Sequence, residues 1–274
     1  MRILITGNSG FIGKYVMEDL KGEHDLIPFE RPNDLLSKKD LEKMIKNIDL
    51  IIHMAGKIDT ENPMDYLYNN VIGTIQLVDY ANRDNVRGLI YTSTLNGLYD
   101  TSGIAKEDTP IYPTSKYIGS KYMGEQVLHF FNGNTIILRL GGVFGIGRKH
   151  KCCIEKLLTD HEVIINNSKE IWDMIYVKDV VRAINLAVEH IDRFKYNAFN
   201  IGSGNTKTIG EIANFVKSFR NVKVIYKEDP HSYRQRICDI SKARKLLGFI
   251  PKKLEDTILE YYKELNNEHT RNLL

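Results

Sequence analysis

The stretch Thr6-Gly7-Asn8-Ser9-Gly10-Phe11-Ile12-Gly13 constrains this chain more than any other. It follows directly on the apolar run Ile3–Thr6 and leads into a segment with Ile12, Val16 and Leu20 at helical spacing. Glycines in the order Gly-x-x-Gly-x-x-Gly let the backbone turn sharply out of a strand and approach a ligand closely. The helix that follows presents free N–H groups at its first turn. A pyrophosphate is the group such a turn suits, with Phe11 and Ile12 anchoring the helix in the core. A dinucleotide-binding strand–turn–helix is therefore expected at the start of the chain.

The rest of the first two thirds continues that pattern. Leu26–Phe29, Leu50–Met54, Leu89–Thr92 and Ile136–Leu140 are short, continuous apolar runs, as strands buried on both faces should be. Amphipathic segments lie between them, one carrying Val71, Ile75 and Val78. Strands alternating with helices imply an α/β fold, a doubly wound Rossmann-type parallel sheet. The last third reads differently. Thr208 and Glu211 form a capping box that opens a helix with Ile209, Ile212, Val216 and Phe219. Ser241 is expected to cap a second short helix that Gly248 ends, and Leu254, Ile258 and Tyr261 outline a terminal one. The expected division is a Rossmann domain over 1–145 plus 172–204, and a smaller α+β C-terminal substrate domain over 146–171 plus 205–274.

Composition narrows the class. In 274 residues, 38 Lys and Arg stand against 35 Asp and Glu, so nothing in the charge balance calls for nucleic acid or an anionic membrane. The apolar runs fall far short of the ~20 residues a membrane helix needs. The start shows no signal-peptide pattern, and the 3 cysteines form no C-x-x-C, so a cytoplasmic protein is expected. His150, Cys152 and Cys153 are the faint exception to a sequence without metal-ligand spacing, and no metal is expected.

Two further features bear on chemistry. Glu30 lies 20 residues beyond Gly10, at the end of the second strand, where an acid binds the adenosine ribose. Arg31 follows it, and an arginine there suits a 2′-phosphate, so NAD and NADP both stay open. Tyr117 and Lys121 are four residues apart, on one face of a helix. An ammonium beside a phenol lowers its pKa toward the working range of an acid–base group. Tyr112 and Lys116 share that spacing, but Pro113 pushes Tyr112 out of helical geometry, which leaves Tyr117 as the candidate.

With these residues the chain resembles the extended short-chain dehydrogenase/reductases, the NAD-dependent epimerase/dehydratase group that acts on nucleotide sugars. The resemblance also rests on His53-Met54-Ala55-Gly56, Asn70-Val71-x-Gly73-Thr74, Leu89 to Thr94, Gly124-Glu125, Leu138-Arg139-Leu140, Val143-Phe144-Gly145, Ile175-Tyr176-Val177-x-Asp179-Val180, Asn200 to Gly204 and Asp239 to Lys242. It implies Tyr117 as general acid/base, Thr94 with its neighbour Ser93 as the hydroxyls on the reacting sugar oxygen, and Lys121 on the nicotinamide ribose. It implies coenzyme contacts from Gly7, Ser9, Gly10, Phe11, Ile12, Gly13, Glu30, Arg31, Asp34, Met54, Ala55, Gly56 and Asn70, besides Tyr117 and Lys121. Asn96, Gly142, Arg148, Arg234 and Arg236 are the implied substrate contacts, the arginines because their planar fork suits a diphosphate. The resemblance leaves a homodimer open.

The departures are informative. Dehydratases of this group carry Asp-Glu after the catalytic Thr, where this chain has Leu95 and Asn96. Many epimerases carry Asn where Gly142 stands, and the usual Arg-Asp-Phe appears as Trp172-Asp173-Met174. The expected activity is NAD- or NADP-dependent reduction of a 4-keto sugar nucleotide. A nucleotide-sugar 4-epimerase is the alternative, and a non-catalytic dinucleotide-binding regulator the third.

Overall fold

The computed structural model describes residues 1–99, 103–204, 207–232 and 235–267. The strands of the first half are β1 (Arg2–Thr6), β2 (Asp25–Phe29), β3 (Leu50–His53), β4 (Gly88–Thr94), β5 (Ile104–Ala105) and β6 (Asn134–Leu140). Those of the second half are β7 (Gly142–Phe144), β8 (Glu162–Ile165), β9 (Ile171–Trp172), β10 (Met174–Tyr176), β11 (Tyr196–Ile201), β12 (Lys223–Tyr226) and β13 (Gln235–Cys238). The helices of the first half are α1 (Phe11–Leu20), α2 (Lys38–Met44), α3 (Met64–Tyr66), α4 (Gly73–Arg83) and α5 (Lys116–Val127). They are followed by α6 (Cys153–Thr159), α7 (Val177–Glu189), α8 (Ile209–Lys217), α9 (Ser241–Leu247) and α10 (Leu254–Asn266).

A six-stranded sheet in the order β11-β6-β4-β3-β1-β2, parallel throughout, forms the centre. Side chains of a strand point alternately to opposite faces, and both faces here are covered. Ile3, Ile5, Leu50 and Ile52 pack with Val16 of α1, Val180 and Ile184 of α7 and Leu247 of α9. Leu4, Ile51 and Leu89 pack on the other side with Leu41 of α2 and Leu77 and Ala81 of α4. This is why the strands read as unbroken apolar runs. Chain order reverses direction across β1, so the loops after β1 and β3 flank a crevice at the carboxyl ends of the strands, where open sheets bind ligands.

A third apolar cluster is built from residues outside the six-stranded sheet. Ile154 and Leu157 of α6, Ile212 and Val216 of α8, Ile258 and Tyr261 of α10 and Val163 of β8 build it together with Phe144 and Tyr176. The capping box at Thr208 and Glu211 is formed, and Gly248 ends α9 in the left-handed region at φ 73°. Two local expectations are corrected. Strand β3 stops at His53, which frees Met54 for the crevice loop. Ser241 is the first residue of α9 rather than its cap, because its N–H is taken by the Asp239 carboxylate at 2.7 Å. No helix of the described residues is long and apolar enough to cross a membrane.

Candidate active site

The glycine turn has the geometry its spacing implies. Gly7 sits at φ +75°, and a Cβ there would stand 2.7 Å from the Ala55 nitrogen. At Gly13 a Cβ would lie 2.1 Å from the Gly7 oxygen, so the third glycine is what lets α1 close on β1. Gly10 is different: it is exposed, and a Cβ would meet only the Gly7 oxygen at 3.1 Å. Helix α1 starts with no side chain capping its N–H groups and no acid in its first turn. Such an end, with its positive partial charge uncompensated, fits the pyrophosphate of a dinucleotide.

Glu30 follows β2 and turns its carboxylate toward the loop, where Oε2 accepts from the buried Asn8 amide at 3.1 Å. Arg31 and Ser9 are exposed. Asp34 lies further out, and its carboxylate takes the Leu36 N–H at 2.9 Å in a local turn. Across the crevice, Met54, Ala55 and Gly56 form the loop after β3. Asn70 clamps that loop from inside a π-helical turn, Leu67–Ile72. Its Oδ1 accepts from the Lys57 N–H at 2.7 Å, and its Nδ2 donates to the Lys57 carbonyl at 3.0 Å and to Ser120 Oγ at 2.9 Å.

Helix α5 carries the acid–base candidates. Ser115 caps it, accepting from the Ile118 N–H at 3.3 Å, and Tyr117 and Lys121 lie inside it. Tyr112 stands before the helix and is 66% exposed, so the Pro113 argument places it correctly as an outlier. Lys121 is not a solvated helix charge: it is 4% exposed, with Nζ 4.0 Å from the centre of the Tyr91 ring. Burial drives its pKa down to about 7, with the Glu125 carboxylate pulling the other way. Burial pushes the Tyr117 phenol up to about 12, and Tyr66, whose ring centre is 6.2 Å away, pushes it further in the same direction. The expectation that Lys121 draws the phenol down is not met in this arrangement: burial and then Tyr66 both raise it.

Several groups here carried no assigned role in the sequence. Tyr91 lies under Lys121 and donates to its carbonyl at 3.3 Å, and Gly124 lets the helix approach, since a Cβ there would stand 2.3 Å from the Tyr91 hydroxyl. Arg139 of β6 grips Glu125 through Nη2 at 2.8 Å and donates to Tyr99 at 2.6 Å. Both Leu138-Arg139-Leu140 and Gly124-Glu125 were visible as motifs. Their mutual contact joins residues 14 apart on different elements, which local pattern does not reveal.

At the end of β4, Thr94 is half-buried, and the buried Ser93 Oγ and Asn96 Oδ1 have no hydrogen-bond partner among the described residues. A Cβ on Gly142 would lie 2.6 Å from the Met174 sulfur and 3.1 Å from Asn96 Nδ2, so Asn96 and Met174 hold the space a side chain there would take. Arg148 turns back to donate to the Val143 carbonyl at 2.6 Å. Arg236 pairs in register with Trp172, its guanidinium 4.6 Å from the ring centre. Arg234 lies outside the described residues. Of the faint ligand group, His150 pairs with Asp59 at 3.1 Å, and burial raises the thiols of Cys152 and Cys153.

Comparison with known proteins adds the following. The sequence profile of the "NAD dependent epimerase/dehydratase family" matches residues 3–202. A putative UDP-glucose 4-epimerase of Methanocaldococcus jannaschii is 26% identical, over 89% of this chain and 92% of its own. A UDP-2-acetamido-2,6-beta-L-arabino-hexul-4-ose reductase of Pseudomonas aeruginosa is 28% identical, over 81% of this chain and 58% of its own. Among solved structures, a UDP-glucuronic acid 4-epimerase from Bacillus cereus, in complex with UDP-glucuronic acid and NAD, is 25% identical. It superposes with a TM-score of 0.83 over 96% of this chain and 98% of that one.

Proposed function

Because the chain belongs to the NAD dependent epimerase/dehydratase family, we propose that it transfers hydride at a sugar carbon of a nucleotide sugar, at C4, with Tyr117 moving the proton. The observation that carries this reading is the tie between the two halves of the site. Asn70 fastens the crevice loop to the helix that presents Tyr117 and Lys121. A bound nicotinamide coenzyme supplies the hydride acceptor and donor. The glycine turn and the N–H groups of α1 hold its pyrophosphate. Glu30, held by Asn8, takes the ribose hydroxyls and repels a 2′-phosphate, which favours NAD over NADP. Lys121 holds the nicotinamide ribose, Thr94 and Ser93 orient the reacting sugar oxygen, and Tyr117 gives or takes that oxygen's proton.

Reduction of a 4-keto sugar nucleotide is the direction we favour. Leu95 and Asn96 leave no second acid–base pair after Thr94, and Gly142 supplies no side chain. The epimerase names among the relatives support a second reading, C4 epimerisation, in which hydride leaves and returns on the other face. A silent dinucleotide-binding regulator is disfavoured, since burying a lysine beside a tyrosine costs stability that mere binding does not require. The unit of 146–171 and 205–274 is assigned to the sugar nucleotide, with Arg236 on its diphosphate.

The test is turnover on a panel of 4-keto and parent sugar nucleotides, with reduced nicotinamide followed optically. Stoichiometric coenzyme oxidation supports the reductase, and product without net redox change supports the epimerase. Coenzyme binding with no turnover on any member contradicts both.

A further inference from the structure

Six hydrogen bonds join polar groups of seven buried or half-buried residues into one chain from the end of β1 to the first turn of α5. The Ala55 N–H donates to Thr6 Oγ1 at 3.2 Å, and the Thr6 hydroxyl meets His53 Nδ1 at 2.6 Å. On the other side of the ring, His53 Nε2 meets Thr74 Oγ1 at 2.9 Å, and the Thr74 hydroxyl donates to the Asn70 carbonyl at 2.8 Å. The Asn70 amide then donates to Ser120 Oγ at 2.9 Å, and the Ser120 hydroxyl donates to the Tyr117 carbonyl at 2.7 Å.

The directions in this chain are forced. Thr74 spends its only proton on Asn70, so it must accept from His53, which places the ring proton on Nε2. His53 Nδ1 is then an acceptor, and the Thr6 hydroxyl donates to it. Thr6, His53 and Thr74 are fully buried, and desolvation holds the imidazole pKa down to about 3, so the ring is neutral in use. Polar groups in a sheet core are costly unless each is satisfied, and here each link satisfies the next.

We propose that His53 and Thr74 are positioning residues for the acid–base centre: acting through Asn70 and Ser120, they hold the Tyr117–Lys121 turn of α5 against the coenzyme loops. This rests on the reading of Tyr117 as the proton-transfer group. Neither residue touches the reacting atoms. Asn70, set in its π-helical turn, is the joint, since its carbonyl is held by Thr74 while its amide reaches both Lys57 and Ser120. Such turns are frequent where a helix must redirect a functional side chain.

Thr74→Val keeps the shape and removes the hydroxyl, whereas Thr74→Ser keeps the hydroxyl. Amide exchange in the whole chain is the first readout. In Thr74→Val the amides of 117–121 should exchange about tenfold faster while those of β1 and β3 stay within about twofold, and Thr74→Ser should match the parent. NAD⁺ affinity by calorimetry should stay within about threefold, and kcat should fall about tenfold with KM nearly unchanged. Exchange that accelerates equally in α5 and the sheet would overturn the proposal, as would a Thr74→Ser variant as impaired as Thr74→Val or an unchanged kcat. A parent that binds no NAD⁺ would instead overturn the functional reading, and the exchange comparison would still decide whether the chain holds α5.

Discussion

Tyr117 keeps its proton tightly, at a pKa of about 12, while Lys121 four residues on is held near 7. Both shifts come first from desolvation, so the pair is primed for change when the electrostatics of the cleft change. Tyr117→Phe removes only the hydroxyl. It should cost kcat ~100- to 10,000-fold with little effect on coenzyme Kd, while Tyr112→Phe, on an exposed ring, should leave both near the parent values. Steady-state kinetics and calorimetry on the two variants decide it. Lys121 also makes stability depend on pH. Its folded pKa lies below the unfolded value of 10.5, so between about 7 and 10.5 the unfolded chain binds the extra proton and stability rises with pH. Below pH 7 both states are charged and the cost of burying the ammonium is undiminished. Lys121→Met should therefore raise unfolding free energy at pH 6 by on the order of 5 kcal/mol, an advantage that shrinks toward pH 10. Urea melts at the two pH values measure it, and a constant difference would contradict the burial argument.

Helix α1 and the turn before it separate folding from binding. A side chain at Gly13 collides with the Gly7 oxygen, whereas one at Gly10 nearly fits. Gly10→Val should leave a folded protein that has lost coenzyme binding by ~100-fold or more, since the side chain stands where backbone and pyrophosphate must approach. Gly13→Ala should lower Tm sharply on its own. Thermal melts with coenzyme titration distinguish them. Helix α5 depends on the Arg139–Glu125 pair, 7% and 1% exposed. Arg139→Met strands a buried carboxylate and should cost about 3–5 kcal/mol, read by denaturant unfolding. Elements of this kind were legible where the signal is local. Strands buried on both faces announce themselves as apolar runs, and Thr208 with Glu211 announces a helix start. Illegible were contacts made across elements: Tyr91 beneath Lys121, Tyr66 against Tyr117, Arg139 on Glu125, and the π-helical turn that aims Asn70. Each depends on register between segments far apart in the chain. Helix α9 shows the same limit at short range: Ser241 suits a cap, yet the helix begins at it, Ile240 stands at the cap position without a side-chain bond, and the Asp239 carboxylate holds the Ser241 N–H.

At the scale of the molecule, the sheet supplies a crevice between the loops after β1 and β3, and the third cluster, around Leu157, Ile212 and Ile258, meets the sheet's core through Ile12, Tyr15 and Val143. The parallel, doubly wound sheet, with its crevice at the carboxyl ends of the strands, followed from alternating strands and helices, whereas the order of the strands is seen only in the fold. The contacts of the proposed substrate residues were not legible either, because Asn96 meets Gly142 only through the approach of the loop after β4 to β7, and Trp172 meets Arg236 only through the pairing of β9 with β13. The central claim is that this cleft passes hydride to a sugar carbon while Tyr117 supplies the proton. The most direct test gives the protein a 4-keto sugar nucleotide with reduced coenzyme carrying deuterium at nicotinamide C4, and locates the label in the product by NMR. The account expects the label at sugar C4, one deuterium for each coenzyme oxidised, and its loss in Tyr117→Phe. Coenzyme bound at the glycine turn with no label reaching the sugar from either stereoisomer of the labelled coenzyme would contradict it.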